Sequence, residues 1–173
     1  DNSPHKIGVR ILLDTWAGSN DGVPFRIPFK DNKGFYQPGE VITNEMEVFG
    51  IDADYFEACE LGSQDKIVIR GDFQGNKSVV PDRFVLASWV SAYESQWDYD
   101  PNPFEPVVYD SSVLIYYNPV EIKPNASRSV SFRYGLDKIN DNIETPELVN
   151  TSNSVFITSV GYYNSTDEIQ DAV

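Results

Sequence analysis

Short runs with an apolar residue at every second position, closed by Gly, Pro or Asn, recur along this chain, and helical periodicity is nearly absent. Successive side chains of a strand point to opposite faces, so the pattern calls for strands that bury one face against a second layer. In segment 6–14, Ile7, Val9, Ile11 and Leu13 share a face. Segments 40–49, 66–70 and 82–89 read as further strands, and Gly75-Asn76 marks 71–81 as a hairpin connection. Segment 23–29 is broken by Pro24 and Pro28, which confines it to an edge strand or an irregular loop. Residues 112–117 carry large apolar groups on both faces and predict a fully buried strand. Segments 120–122, 123–127 and 130–134 read as strand, turn and strand, with Pro124 fixing one dihedral and Asn125 tolerating a positive φ. Segment 154–163 is a last apolar strand. Together these predict an all-β antiparallel sandwich, Ig-like or jelly-roll-like, with a C-terminal extension strand.

Two stretches depart from this rhythm. Trp89, Tyr93 and Trp97 recur four residues apart and lead into a Pro- and Asp-rich run, which predicts one helical turn followed by a rigid loop. Residues 52–61 fit either a short helix or an extended segment.

Size and charge narrow the function. A chain of 173 residues with 40% hydrophobic residues can bury a real core, and no apolar run is long enough for a bilayer-spanning helix. The chain starts at Asp1 without a signal peptide, which is expected of a processed form or a fragment. A net charge of −14 repels phosphate backbones and anionic lipid, so neither nucleic acid nor membrane insertion is expected. One His and one Cys leave little for acid–base, nucleophilic or zinc chemistry, and no internal disulfide is possible. His5 reads as solvated and Cys59 as a small buried hydrophobe. Four Asn-x-Ser/Thr acceptor sites, at Asn76, Asn125, Asn150 and Asn164, predict exposed loops of a glycosylated extracellular or cell-surface protein.

The segments Val9-Arg-Ile-Leu-Leu-Asp-Thr15, Gly18-Ser-Asn-Asp-Gly-Val-Pro-Phe25 and Pro81-Asp-Arg-Phe84 with Trp89, followed by Tyr116-Tyr-Asn-Pro119 and Tyr134-Gly-Leu136, carry a resemblance. Over about residues 6–136 the chain resembles a β-sandwich module of large secreted prokaryotic cell-surface proteins, archaeal ones included. The resemblance implies an extracellular sandwich and no particular active site. In such modules a further strand usually precedes the one at Ile7–Leu13 here.

This divides the chain into a sandwich domain at 1–136, an acidic linker at 137–153, and a C-terminal strand and tail at 154–173. An extended linker could span ~55 Å. The apolar strand, with Val155, Phe156, Ile157, Val160 and Tyr162, could therefore pair with its own sheet or insert into a neighbouring copy, as in donor-strand polymers. Both pairings are open at the level of sequence.

Three groups of residues could carry ligands. Asp137, Asp141, Asn142 and Glu144 crowd oxygen donors as calcium requires. Their Asn-Asp-Asn run is similar to the linker of cadherins, but the leading Asp is one residue too far upstream and EF-hand spacing is absent. A solvated acidic linker is the plainer reading. Residues 19–22 are a turn first and a metal contact second. Trp89, Tyr93, Trp97 and Tyr99 could form a platform for sugar rings or a contact with another subunit, or could plug one end of the sandwich. With 27 acidic residues, carboxylate pairs for glycoside hydrolysis are inevitable, and capping explains Asp14 and Asp110 more simply. The expectation is a non-enzymatic subunit of an extracellular filament, sheath or surface layer, a homo-oligomer or homopolymer with calcium as its one candidate cofactor. The alternative is a carbohydrate-binding or adhesive module, with a glycoside hydrolase behind both.

Overall fold

The computed structural model describes residues 3–18, 20–60 and 67–137, with the backbone alone of Lys138 and of residues 155–156, 162–163 and 169–170. In chain order the strands are β1 (His5–Asp14), β2 (Phe25–Arg26), β3 (Phe29–Lys30), β4 (Tyr36–Gln37), β5 (Met46–Phe49), β6 (Tyr55–Cys59), β7 (Ile67–Asp72), β8 (Arg83–Ser88), β9 (Ser111–Ile122), β10 (Arg133–Lys138), β11 (Val155–Phe156), β12 (Tyr162–Tyr163) and β13 (Ile169–Gln170). A 3₁₀ turn, Gly50–Asp52, precedes β6, and one short helix, α1 (Trp89–Glu94), follows β8. The first sheet has the order β1-β9-β8-β5 and the second β11-β10-β7-β6-β2, all neighbours antiparallel. The chain is an all-β sandwich. No helix among the described residues is long and apolar enough to cross a membrane.

The alternation in the sequence selects the buried faces. Val9, Ile11 and Leu13 of β1, Phe84 and Leu86 of β8, and Val113, Ile115 and Tyr117 of β9 face Phe25, Phe56, Ala58 and Ile69 of the second sheet. Phe73, Val107, Val130 and Phe132 enter the same core from the connections. Phe73 lies 5.1 Å from Phe84 and 5.9 Å from Phe132 between ring centroids, and Phe56 lies 6.0 Å from Phe73. Each of these rings is almost fully buried, worth roughly 1.5–3 kcal/mol apiece. Gly71 makes room for them, because a Cβ there would fall 2.0 Å from the Phe56 ring.

Four expectations need correction. Residues 71–81 do not close a hairpin: β7 belongs to the second sheet and β8 to the first, so this segment crosses between layers. Residues 123–132 cross back in the same way, from β9 to β10, rather than turning within one sheet. The cause is apolar burial, since Phe73, Val130 and Phe132 leave the strands to fill the space between the sheets. The two crossings are tied together by the Val79 N–H, which donates to the Ser131 carbonyl at 2.7 Å. The strand expected over 40–49 is regular only at Met46–Phe49, with single bridges from Ile42 to Phe25 and from Asn44 to Pro106. Finally, β10 continues through Asp137 to Lys138, so Asp137 is strand and not linker. Residues 157–161, in the middle of the predicted C-terminal strand, lie outside the described residues.

Candidate functional site

The aromatic segment after β8 folds over the outer face of the first sheet. Val85, Ala87, Leu114 and Tyr116 point to that face and, with Ala92 of α1, form a second core closed by Leu12, Trp97 and Tyr99. Trp97 meets Tyr116 edge to face at 6.0 Å, and Gly8 leaves space for its ring. A buried carboxylate and two half-buried guanidinium groups fasten the segment. The Glu45 carboxylate accepts from the Ser88 and Asn102 N–H groups at 2.8 Å each and from the Tyr99 hydroxyl at 2.7 Å. Burial and then that carboxylate push the Tyr99 hydroxyl up. The Arg10 guanidinium donates to the carbonyls of Ala92 in α1, of Ser95, its C-cap, and of Gln96 just beyond. Arg83 reaches Glu47, Asp98 and the Tyr99 carbonyl, and its guanidinium lies 4.1 Å from the centre of the Tyr116 ring.

The four aromatic residues therefore do not share one platform. Trp97 and Tyr99 pack inward. Trp89 and Tyr93 stack outside, ring centroids 5.6 Å apart and 24° between planes, with Tyr93 68% exposed. This pair is what remains as an aromatic surface for a ligand.

A different cluster forms at the end of the sandwich where β1 finishes and β9 begins. The β1–β9 register sets Asp14 opposite Ser112, which brings it beside Asp110. The loop after β1 returns Asp21 to the same place, and the buried Ser111 holds the three segments together. Its hydroxyl bonds to Thr15 Oγ1 at 2.6 Å, accepts from Val23 N–H at 3.0 Å and donates to the Asp21 carbonyl at 3.2 Å. Carboxylate oxygens of Asp14, Asp21 and Asp110 lie within 4.8 Å of one another, the one acidic group among the described residues close enough to share a cation. Burial first and the charge of Asp21 second push the Asp14 carboxyl up. Asp110 rises through burial, then Asp21, then Asp14. From the sequence, Asp14 and Asp110 read as capping residues, and 19–22 as a turn first and a metal contact second. Only the strand register, which one sequence does not display, could have united them.

Asp137, expected at a calcium site, bonds to Arg70 at 2.6 Å, and Arg70 also reaches Glu57 at 3.1 Å. These are buried or nearly buried cross-strand partners on β10, β7 and β6, with the guanidinium 4.0 Å over the Tyr55 ring. Burial pushes the Tyr55 hydroxyl up to about 12. Asp137 is thus occupied by an internal cation. Asp141, Asn142 and Glu144 lie outside the described residues.

Asn76 and Asn125 are exposed and lie in turns, and Asn125 has a φ of 62°, the left-handed conformation its side chain tolerates. Asn150 and Asn164 lie outside the described residues, as do Ile157 and Val160. Val155 and Phe156 form β11, which extends the second sheet by pairing with Tyr134 and Arg133 of β10. Tyr162 belongs to β12, paired with β13. Comparison of the chain with known protein families, curated proteins and solved structures finds no match.

Proposed function

We propose that this chain is an extracellular structural protein, a subunit of a filament, sheath or surface layer whose copies join through sheet edges or exchanged strands. The observation that carries the reading is β11. The outer edge of β10 is completed by a strand that the sequence connects only through residues 139–154. A strand edge accepts any backbone of suitable register, so the same pairing can be made by the neighbour's β11. At the other rim, β1 is a ten-residue edge strand of the first sheet. The net charge of −14 and the four acceptor sites support an exposed, soluble surface facing the outside.

The test is the mass in solution of the full chain and of a chain ending at Lys138, with far-UV circular dichroism as the check that both sheets persist. The full chain is expected as large assemblies and the shortened one as monomers. A folded, shortened chain that assembles to the same size defeats strand exchange, and monomers from both chains defeat the reading as a whole.

A second reading, a carbohydrate-binding or adhesive module, is favoured by the stack of the exposed Tyr93 on the half-buried Trp89, whose apolar ring faces suit sugar C–H groups. It expects monomers that bind glycans and lose that binding on Tyr93→Ala.

A further inference from the structure

We propose that Asn76 and Asn125 are both N-glycosylated and that their glycans clothe a single pole of the sandwich. The two acceptors are far apart in sequence, but strand register places them together. β1 starts at His5 opposite Ile122, and Asn125 lies in the turn just beyond it. Asp72, the last residue of β7, is opposite Arg133, the first of β10, and the crossing from β7 to β8 holds Asn76. The two crossings touch: Ser131 Oγ donates to the Lys77 carbonyl, and Arg133 Nη2 donates to the Gln74 carbonyl at 2.8 Å. The Asp14–Asp21–Asp110 group and the far end of β10 lie at the opposite pole, where Glu60 lies against Gly18.

Each acceptor is chemically available. Both asparagine side chains are exposed, and neither makes a hydrogen bond to a described residue. The same holds for the side chains of Ser78 and Ser127, the third residues of the two sites. The turns are closed by backbone alone, Ser78 N–H to Gly75 O at 3.1 Å and Ala126 N–H to Lys123 O at 3.0 Å. Asn76 is not even at a left-handed position, since Lys77 (φ 78°) takes that role. Among the described residues, therefore, no contact requires Asn at 76 or a hydroxyl at 78 and 127. By contrast, Asn44 and Asn102 spend their side chains on Pro103 O and Phe104 N–H.

In the modification the asparagine Nδ2 attacks the anomeric carbon of a lipid-linked sugar phosphate. The C1–N bond forms as the C1–O bond to phosphate breaks, the lipid phosphate leaves with the bonding electron pair, and the proton lost from Nδ2 passes to a base of the glycosyltransferase that supplies the lipid-linked sugar. This deepens the extracellular reading above, because glycans at this pole leave the strand-pairing edges and the acidic pole free of sugar. The two are read out separately, one by glycan mass and the other by assembly size.

The experiment is peptide mass spectrometry on the protein from its native cells, beside Ser78→Ala, Ser78→Thr and Ser127→Ala variants made in the same cells. The Asn76 and Asn125 peptides should each carry a glycan. Ser78→Ala should remove the first alone, Ser78→Thr should keep it, and Ser127→Ala should remove the second alone. An Asn76 or Asn125 peptide found at its unmodified mass overturns the proposal for that pole, whatever the state of assembly.

Discussion

Gly8 lacks a side chain where the Trp97 ring needs the room: a Cβ there would come within 2.6 Å of it. That fit separates two aromatic residues one turn apart. Trp97→Ala opens the second core and should cost about 2–4 kcal/mol in denaturant unfolding, while Tyr93→Ala should stay within ~0.5 kcal/mol. Equal costs would mean the four rings do act as one unit. The acidic group gives a pH effect of definite sign. Asp14 and Asp110 bind protons more tightly in the folded chain than in the unfolded one. Their contribution to stability is complete below the unfolded carboxyl value of about 3.9 and is lost as pH rises through the raised folded values. At neutral pH the group therefore destabilises, an effect discounted because water reaches these side chains. Asp110→Asn should raise the melting temperature by ~1–2 °C at pH 7, and the gain should vanish near pH 3.5. A lower melting temperature for the variant at pH 7 would show that Asp110 makes a bond worth more than the repulsion it suffers.

Pairing between elements can be tested by the register of β10 and β11, where Arg133 is opposite Phe156. Facing residues of an antiparallel pair have Cα atoms about 4.5–5.5 Å apart, within reach of a disulfide. A chain carrying Arg133→Cys and Phe156→Cys, oxidised while assembled, should run as a covalent ladder on a non-reducing gel if β11 is exchanged between copies. A monomer bridged internally, under conditions where the parent chain assembles, would leave edge contacts as the only mode of joining. The strands at 6–14, 66–70, 82–89 and 112–117 were legible, whereas 52–61, which fits helix or strand equally, holds β6. The double-sided apolar run at 112–117 is a buried strand, and Asn125 does take a positive φ. The crossings at 71–81 and 123–132 were not, because a turn within a sheet and a passage between sheets share the same local signature of Gly, Pro and Asn. What separates them is the docking of Phe73 and Phe132 in the inter-sheet core, a contact between residues 59 positions apart by number. The carboxylate group was hidden for the same reason, since only the β1–β9 pairing joins Asp14 to Asp110.

On the scale of the whole molecule, the two poles differ in what they offer a neighbour. One carries the exposed acceptor turns, flanked by Lys77, Lys123 and Arg128, and the other carries Asp14, Asp21 and Asp110. Contacts made through sheet edges would consist of backbone hydrogen bonds and apolar side chains, and these depend little on salt. Yet they bring together copies that each carry −14, and that repulsion opposes every step of assembly. Raising the ionic strength shortens the reach of the repulsion from ~30 Å at 0.01 M to ~10 Å at 0.1 M. Edge-to-edge assembly should therefore be faster and more complete in 0.1–0.3 M sodium chloride than in 0.01 M, as followed by light scattering. Contacts built instead from the acidic pole of one copy and the basic turns of the next would weaken over that range. A fall in scattering with added salt would move the joint from the sheet edges to the poles, where glycans on Asn76 and Asn125 would have to be absent for the copies to meet.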